Sequence, residues 1–209
     1  VDPQTVELHF ALGNLFRRRG ELDRAIRMHQ NLVERPDLLE DQKLAALFEL
    51  AQDYLKAGLL DRAEELFIKL DGTQYAEASL KFLLEIYQQE KDWQKAIGAA
   101  DQLESVTGRS HQKEIANFYC ELASVEMMHS RPERARPYLD TALSHHRLCV
   151  RANVLLVGMG GIAIGSWFWG HLTDHAGVEI ALLTSAGLMF LSPLLGLWLR
   201  MPPIGARNE

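Results

Sequence analysis

The chain has 209 residues, 47% of them hydrophobic, and a net charge of −6. This length allows one or two domains, and the mildly acidic balance excludes the basic face that nucleic-acid binding requires. The average hides a split: residues 1–152 hold 20 Lys and Arg with 25 Asp and Glu, whereas residues 153–209 hold only Arg200, Arg207, Asp174, Glu179 and Glu209.

The first part reads as helix pairs repeating at intervals near 34 residues. The first pair begins near Thr5. Leu12-Gly13 supplies a large and a small residue, Phe16 an aromatic, Gly20 a turn, and Ala25 a small residue in the second helix. His29 and Leu32 continue that face, and Arg35-Pro36 ends it, because proline disfavours helix in the residue before it. The second pair follows a slightly long link over residues 37–41, with Leu50-Ala51, Tyr54, Gly58, Ala63, Phe67 and Leu70 in the same roles. The third has Leu83-Leu84, Tyr87, Lys91 at the turn and Ala96, with Trp93 near the start of its second helix. The fourth, after a long connection over residues 107–112, has Leu122-Ala123, Glu126 where an aromatic is usual, Ser130 at the turn and Ala135. Pro132 fits a helix start, where its missing N–H costs little, while Pro137 is expected to bend or delay that helix. The small residues let helices approach closely, and the large ones fill the grooves between pairs. This is the tetratricopeptide pattern, expected over residues 5–147, and the fold class is therefore all-α.

A fifth pair is expected to open at Arg151-Ala152-Asn153-Val154, but the pattern then fails. Residues 153–170 carry no charge and contain Gly158, Gly160, Gly161 and Gly165. Each glycine costs a water-exposed helix about 1 kcal/mol, whereas membrane helices tolerate them. After a polar link over residues 171–179, residues 180–199 form a second uncharged run, long enough to cross the hydrocarbon core. Trp167, Trp169 and Trp198 lie near segment ends, where a membrane interface favours them. The expected domains are a repeat domain over 1–152 and an apolar hairpin over 153–209 that crosses a membrane. The alternative is two buried core helices. No secretory leader is read at Val1-Asp2-Pro3, and the chain is expected to be part of a longer protein.

Several stretches carry a more specific resemblance. Thr5-Val6-Glu7-Leu8-His9, Gly20-Glu21-Leu22-Asp23-Arg24-Ala25-Ile26-Arg27, Asp61-Arg62-Ala63-Glu64, Trp93-Gln94-Lys95-Ala96-Ile97 and Phe118-Tyr119-Cys120-Glu121-Leu122-Ala123 resemble the lipopolysaccharide assembly protein B family of tetratricopeptide proteins. The resemblance implies an adaptor, not an enzyme, at the cytoplasmic face of the bacterial inner membrane. Its implied partners are a membrane-bound ATP-dependent protease, the deacetylase that commits cells to lipid A, and an inner-membrane regulator. Proteolysis of the deacetylase would regulate lipopolysaccharide synthesis. The family's metal module needs two CxxC pairs, which Cys120 and Cys149 do not make, so no cofactor or metal is expected. Gly170-His171-Leu172-Thr173-Asp174-His175-Ala176-Gly177 resembles the cytoplasmic loop between two helices of major facilitator transporters. It implies, as an alternative function, a transporter fragment fused to the repeats.

Chemistry-bearing motifs are sparse. His145-His146 near Cys149, and His171 with His175, lack third and fourth ligands at metal-site spacing. No GxSxG, Walker or HExxH pattern is present. A Cys120–Cys149 disulfide and two reduced thiols both fit the sequence. The functional surface is expected on the inner curve, formed by the first helix of each pair. The candidate partner-binding residues are Asn14, Arg17 and Arg18; Gln52 and Lys56; Lys81, Glu85, Gln88 and Gln89; and Asn117, Ser124 and Met128.

Overall fold

The computed structural model describes residues 3–186. It divides into two compact units, Val1–Asn153 and Val154–Glu209. The described residues are helical, in the order α1 (Pro3–Arg18), α2 (Leu22–Val33), α3 (Glu40–Lys56), α4 (Leu60–Lys69), α5 (Ala76–Glu90), α6 (Trp93–Thr107), α7 (Gln112–Met128), α8 (Pro132–His145) and α9 (Val150–Ala176). Within the first unit, helices α1 to α8 each pack on the next in sequence, and α1 also reaches α3. The fold is an all-α tetratricopeptide array of four helix pairs.

The small residues lie where the helices meet. Ala25, Ala63, Ala96 and Ala135 are each fully buried, as are Ala51 and Ala123 in the first helices. Phe67 is fully buried as well. Its ring stacks on Phe82 at 5.1 Å and meets Phe48 edge-on at 6.1 Å, and Phe48 stacks on Tyr75 at 4.7 Å. Close aromatic packing of this kind adds to the area buried, and it ties α3, α4 and α5 into one core.

One turn recurs in all four pairs. Gly20, Gly58, Lys91 and Ser130 take left-handed backbone conformations, with φ of 78°, 74°, 59° and 57°. The N–H of the following residue donates to the carbonyl of Phe16, Tyr54, Tyr87 or Glu126, at 2.9 Å in each case. The left-handed residue's own N–H donates to the carbonyl of Arg17, Leu55, Gln88 or Met127. These two bonds form the Schellman motif, which satisfies carbonyls that a helix end leaves open. Glycine enters the left-handed region without strain, and Lys91 and Ser130 do not.

Two details depart from the sequence expectations. Helix α8 starts at Pro132 and runs through Pro137 without delay. Pro137 and Glu133 are both exposed, so water can serve the Glu133 carbonyl that proline leaves without a helical donor. The polar link expected over residues 171–179 is mostly helix: α9 continues to Ala176, breaks at Gly177 (φ 85°), and helical backbone resumes over residues 178–186. Thr173 donates its hydroxyl to the Trp169 carbonyl at 2.9 Å, a bond made within the helix. Most of the run expected over residues 180–199, including Trp198, lies outside the described residues.

Candidate functional site

The exposed stripes of the first helices form the candidate surface. On α5, Lys81, Glu85, Gln88 and Gln89 are all exposed. Their opposite face buries Leu80, Leu83, Leu84, Ile86 and Tyr87. The stripe follows from a 3.6-residue period, which puts positions three and four apart on one side. On α7, Asn117 is exposed and Met128 is 85% exposed, while Ser124 is half-buried with its hydroxyl donating to the Cys120 carbonyl at 2.8 Å. On α3, Lys56 is exposed and Gln52 half-buried. Lys81 pairs with Glu77 at 2.6 Å along the helix, an exposed pair of small energetic weight.

The first pair behaves differently. Arg18 is exposed, but Arg17 and Asn14 are half-buried and turned into a polar network. Arg17 donates to Asn14 Oδ1 at 2.6 Å, to the Glu49 carbonyl at 3.0 Å, to Asp53 Oδ1 at 3.0 Å and to the Glu49 carboxylate. The other Asp53 oxygen accepts from His29 Nδ1 at 2.5 Å, and both side chains are fully buried. This network joins α1, α2 and α3. The Arg17 guanidinium is engaged inside the repeat domain. His29 also explains Gly13: a Cβ there would sit 2.3 Å from His29 Nε2. Sequence reasoning missed Glu49 and Asp53. The available signal was an acidic residue, Asp53, about one turn after Leu50 and beside Tyr54, on the face that must be buried.

A second feature emerges only in three dimensions. The Arg24 guanidinium lies 4.6 Å from the Phe16 ring centre, Arg62 lies 5.7 Å from Tyr54, and the Lys95 ammonium lies 5.2 Å from Tyr87. In each of these three pairs a cation early in the second helix covers the aromatic of the first. In the fourth pair the matching residues are Arg134 and Glu126. Lys95 also bonds Glu64 at 2.9 Å, and Tyr87 donates to the same carboxylate at 2.9 Å. Burial and the Glu64 carboxylate both push the Tyr87 phenol above its ordinary pKa.

The long connection before α7 is held by Glu104. Its carboxylate accepts from the His111 N–H at 2.9 Å and from the Gln112 side chain at 3.0 Å, bonds that hold its pKa below the usual carboxylate range. Cys120 and Cys149 are buried free thiols with sulfurs 3.8 Å apart. Burial, followed by the contact with Cys149, pushes the Cys120 thiol up to about 12. His145 bonds Gln112 at 2.6 Å and stacks on Tyr119 at 5.4 Å. Among the described residues no group of three metal-ligating side chains comes together.

Helix α9, most of which lies in the second unit, is long and apolar enough to cross a membrane. Ile162, Ile164 and Trp167 are each 69% exposed. His171 stacks on Trp167 at 5.6 Å, and the His175 ring centre lies 4.1 Å from that of His171.

Comparison with known proteins matches both parts. A tetratricopeptide repeat family model fits residues 8–42, and a model described as transmembrane secretion effector fits residues 148–209. Lipopolysaccharide assembly protein B of Escherichia coli is 44% identical over 156 residues, covering 74% of this chain and 40% of that protein. The Haemophilus influenzae protein of the same name is 43% identical over 154 residues, covering 73% and 39%. The chain thus spans about two fifths of the length of these curated relatives. Among solved structures, MamA protein aligns at 17% identity over 96% of this chain and 99% of its own, with a TM-score of 0.45. An array of nearly identical TPR-like repeats from Podosopora anserina aligns at 20% identity over 68% and 75%, with a TM-score of 0.43.

Proposed function

We propose that the repeat domain is an adaptor that holds protein partners at the cytoplasmic face of the bacterial inner membrane. In this reading it promotes proteolysis of the lipid A pathway deacetylase and so regulates lipopolysaccharide synthesis. Its partners are a membrane-bound ATP-dependent protease, that deacetylase and an inner-membrane regulator. The observation that carries the reading is the 44% identity to lipopolysaccharide assembly protein B. The exposed polar stripes on α3, α5 and α7 fit the same role. Long side chains on a rigid helical frame suit an extended or helical partner segment.

Charge distribution supports the cytoplasmic placement. Five arginines lie between residues 129 and 151, while residues 152–186 contain no lysine or arginine. Basic residues flanking a membrane helix favour the cytoplasmic side. If α9 crosses once, the segment around Gly177 then faces the other side. That conflicts with the cytoplasmic loop of a major facilitator, a loop whose usual basic residues are replaced here by His175, Val178 and Glu179. The match to a transmembrane secretion effector over residues 148–209 favours, as a second reading, a carrier fragment fused to the repeats.

The test is capture of the deacetylase by the full chain in detergent. Lys56→Glu combined with Lys81→Glu is expected to weaken capture by about tenfold or more, whereas Arg27→Glu on α2 leaves it unchanged. Capture of the deacetylase, the protease and the regulator at unchanged affinity by the double variant overturns the proposed surface.

A further inference from the structure

The second helices of the pairs align on the buried alanines Ala25, Ala63, Ala96 and Ala135. Two and three residues beyond them stand Arg27-Met28 in α2, Glu65-Leu66 in α4 and Pro137-Tyr138 in α8. Met28, Leu66 and Tyr138 are each half-buried. Helix α6 has Gly98-Ala99 at the same two places. Glycine inside a water-exposed helix costs stability. Nothing in the backbone calls for it here: Gly98 has no positive φ, and an added Cβ would meet nothing within 4 Å.

Where the large side chain is missing, a cleft of about 280 Å³ opens between α4, α5 and α6. Phe67, Leu80 and Leu83 give it an apolar lining. Ser79 also lines it, is only 1% exposed, and has a hydroxyl without a hydrogen-bond partner. A buried hydroxyl left unpaired is unfavourable, and an acceptor oxygen on an occupant would answer it. Ile68, in the same lining, is 52% exposed where the other second helices carry Gln30, Asp101 and Asp140. Asp71 beside it is exposed, accepts the Gly72 N–H and makes no ion pair among the described residues. Lys95 lines the cleft too, but its ammonium is held by Glu64 at 2.9 Å. The unpaired charge at the rim is therefore negative.

The volume lies below the roughly 300–1,000 Å³ of sites that enclose a small-molecule ligand. It suits one large apolar side chain, of the kind the other pairs supply from their own second helices. We propose that the cleft is a docking site for a segment of a partner protein. That segment inserts one apolar anchor, Met, Leu, Phe or Tyr, and carries a lysine or arginine within a helical turn of it to face Asp71. The anchor takes the position that Met28, Leu66 and Tyr138 fill elsewhere, and Ile68 extends the apolar contact. The cleft meets α5 on its buried face, opposite Lys81, Glu85, Gln88 and Gln89. It adds a second partner site to the adaptor reading and does not depend on which protein the exposed stripes hold.

The experiment selects a displayed library of short random peptides on the full chain in detergent and measures the enriched peptides by fluorescence anisotropy. They are expected to share a large apolar residue with a lysine or arginine within a turn. Gly98→Met, which projects a side chain over the cleft from open space, is expected to melt no lower than wild type and to weaken their binding about tenfold or more. Ala99→Leu, which copies α4, is expected to weaken it similarly. Asp71→Lys is expected to cost about twofold to threefold, the weight of an exposed charge pair. Lys56→Glu with Lys81→Glu leaves these peptides bound as before. Enrichment of no peptide, or of peptides that bind Gly98→Met as tightly as wild type, overturns the docking site and leaves the reading of the stripes untouched. A wild-type chain that self-associates by light scattering and turns monomeric as Gly98→Met holds a second copy in the cleft, which overturns the partner proposed.

Discussion

Helices α5 and α9 both carry many large apolar side chains and face opposite requirements. Helix α5 buries Leu80, Leu83, Leu84, Ile86 and Tyr87 on one face and shows water Lys81, Glu85, Gln88 and Gln89. Helix α9 buries only Ala152, in its first turn, and exposes Ile162, Ile164 and Trp167 along its length. A soluble repeat needs one apolar stripe, because its neighbours cover one side only. A helix that is apolar all round needs a surrounding medium that is itself apolar. The glycines teach the same lesson. Gly20 and Gly58 stand at turns with positive φ, whereas Gly158, Gly160, Gly161 and Gly165 lie inside helix with open space around them.

Two substitutions break this comparison in opposite directions. Phe67→Ala removes a fully buried ring and is expected to cost the repeat domain about 3–5 kcal/mol, measured by denaturant unfolding. Ile162→Arg is expected to leave the repeat domain's stability unchanged and to impair membrane insertion, at about 3 kcal/mol for a charge at a helix centre. Membrane fractionation of the expressed chain checks the second. Equal insertion of wild type and Ile162→Arg would show that α9 does not cross.

A smaller effect probes the first pair. Gly13→Ala places a methyl against the buried His29 ring and is expected to cost about 1–3 kcal/mol through overpacking. His29→Ala is expected to cost less in this background than in the wild-type chain, because there it also removes the clash. A Gly13→Ala variant as stable as wild type would mean that His29 has another place to go.

The smallest expected effect is a gain. Lys91→Gly and Ser130→Gly relieve left-handed strain at the turns where the first two pairs carry glycine. Each is expected to stabilise the repeat domain by about 0.5–1 kcal/mol, offset in part by glycine's greater chain entropy when unfolded. Thermal unfolding of the two variants decides. Loss of stability in both would show that the Lys91 and Ser130 side chains contribute contacts that outweigh the strain.

Much of the array was legible in the residues. Ala25, Ala63, Ala96 and Ala135, the turn positions and the aromatic positions announced four pairs, because close packing constrains residue size at fixed intervals. The apolar character of residues 153–170 was equally plain, since hydropathy is a property of composition. The candidate surface was legible only in outline. Lys81, Glu85, Gln88, Gln89 and Asn117 are exposed as their helical period requires. Nothing local to Arg17 announced that it would turn inward.

Sequence by itself therefore determined the repeat, its phase and the helix that departs from it, because these follow from side-chain size and polarity read at a helical period. Tertiary structure alone decided the bonding of Arg17 and His29 to Asp53, the stacking of Arg24, Arg62 and Lys95 on their aromatics, and the continuation of α9 through residues that read as a link. Those outcomes depend on which residues meet across helices and on helical hydrogen bonding that persists through a short polar segment. Neither is encoded at a single position.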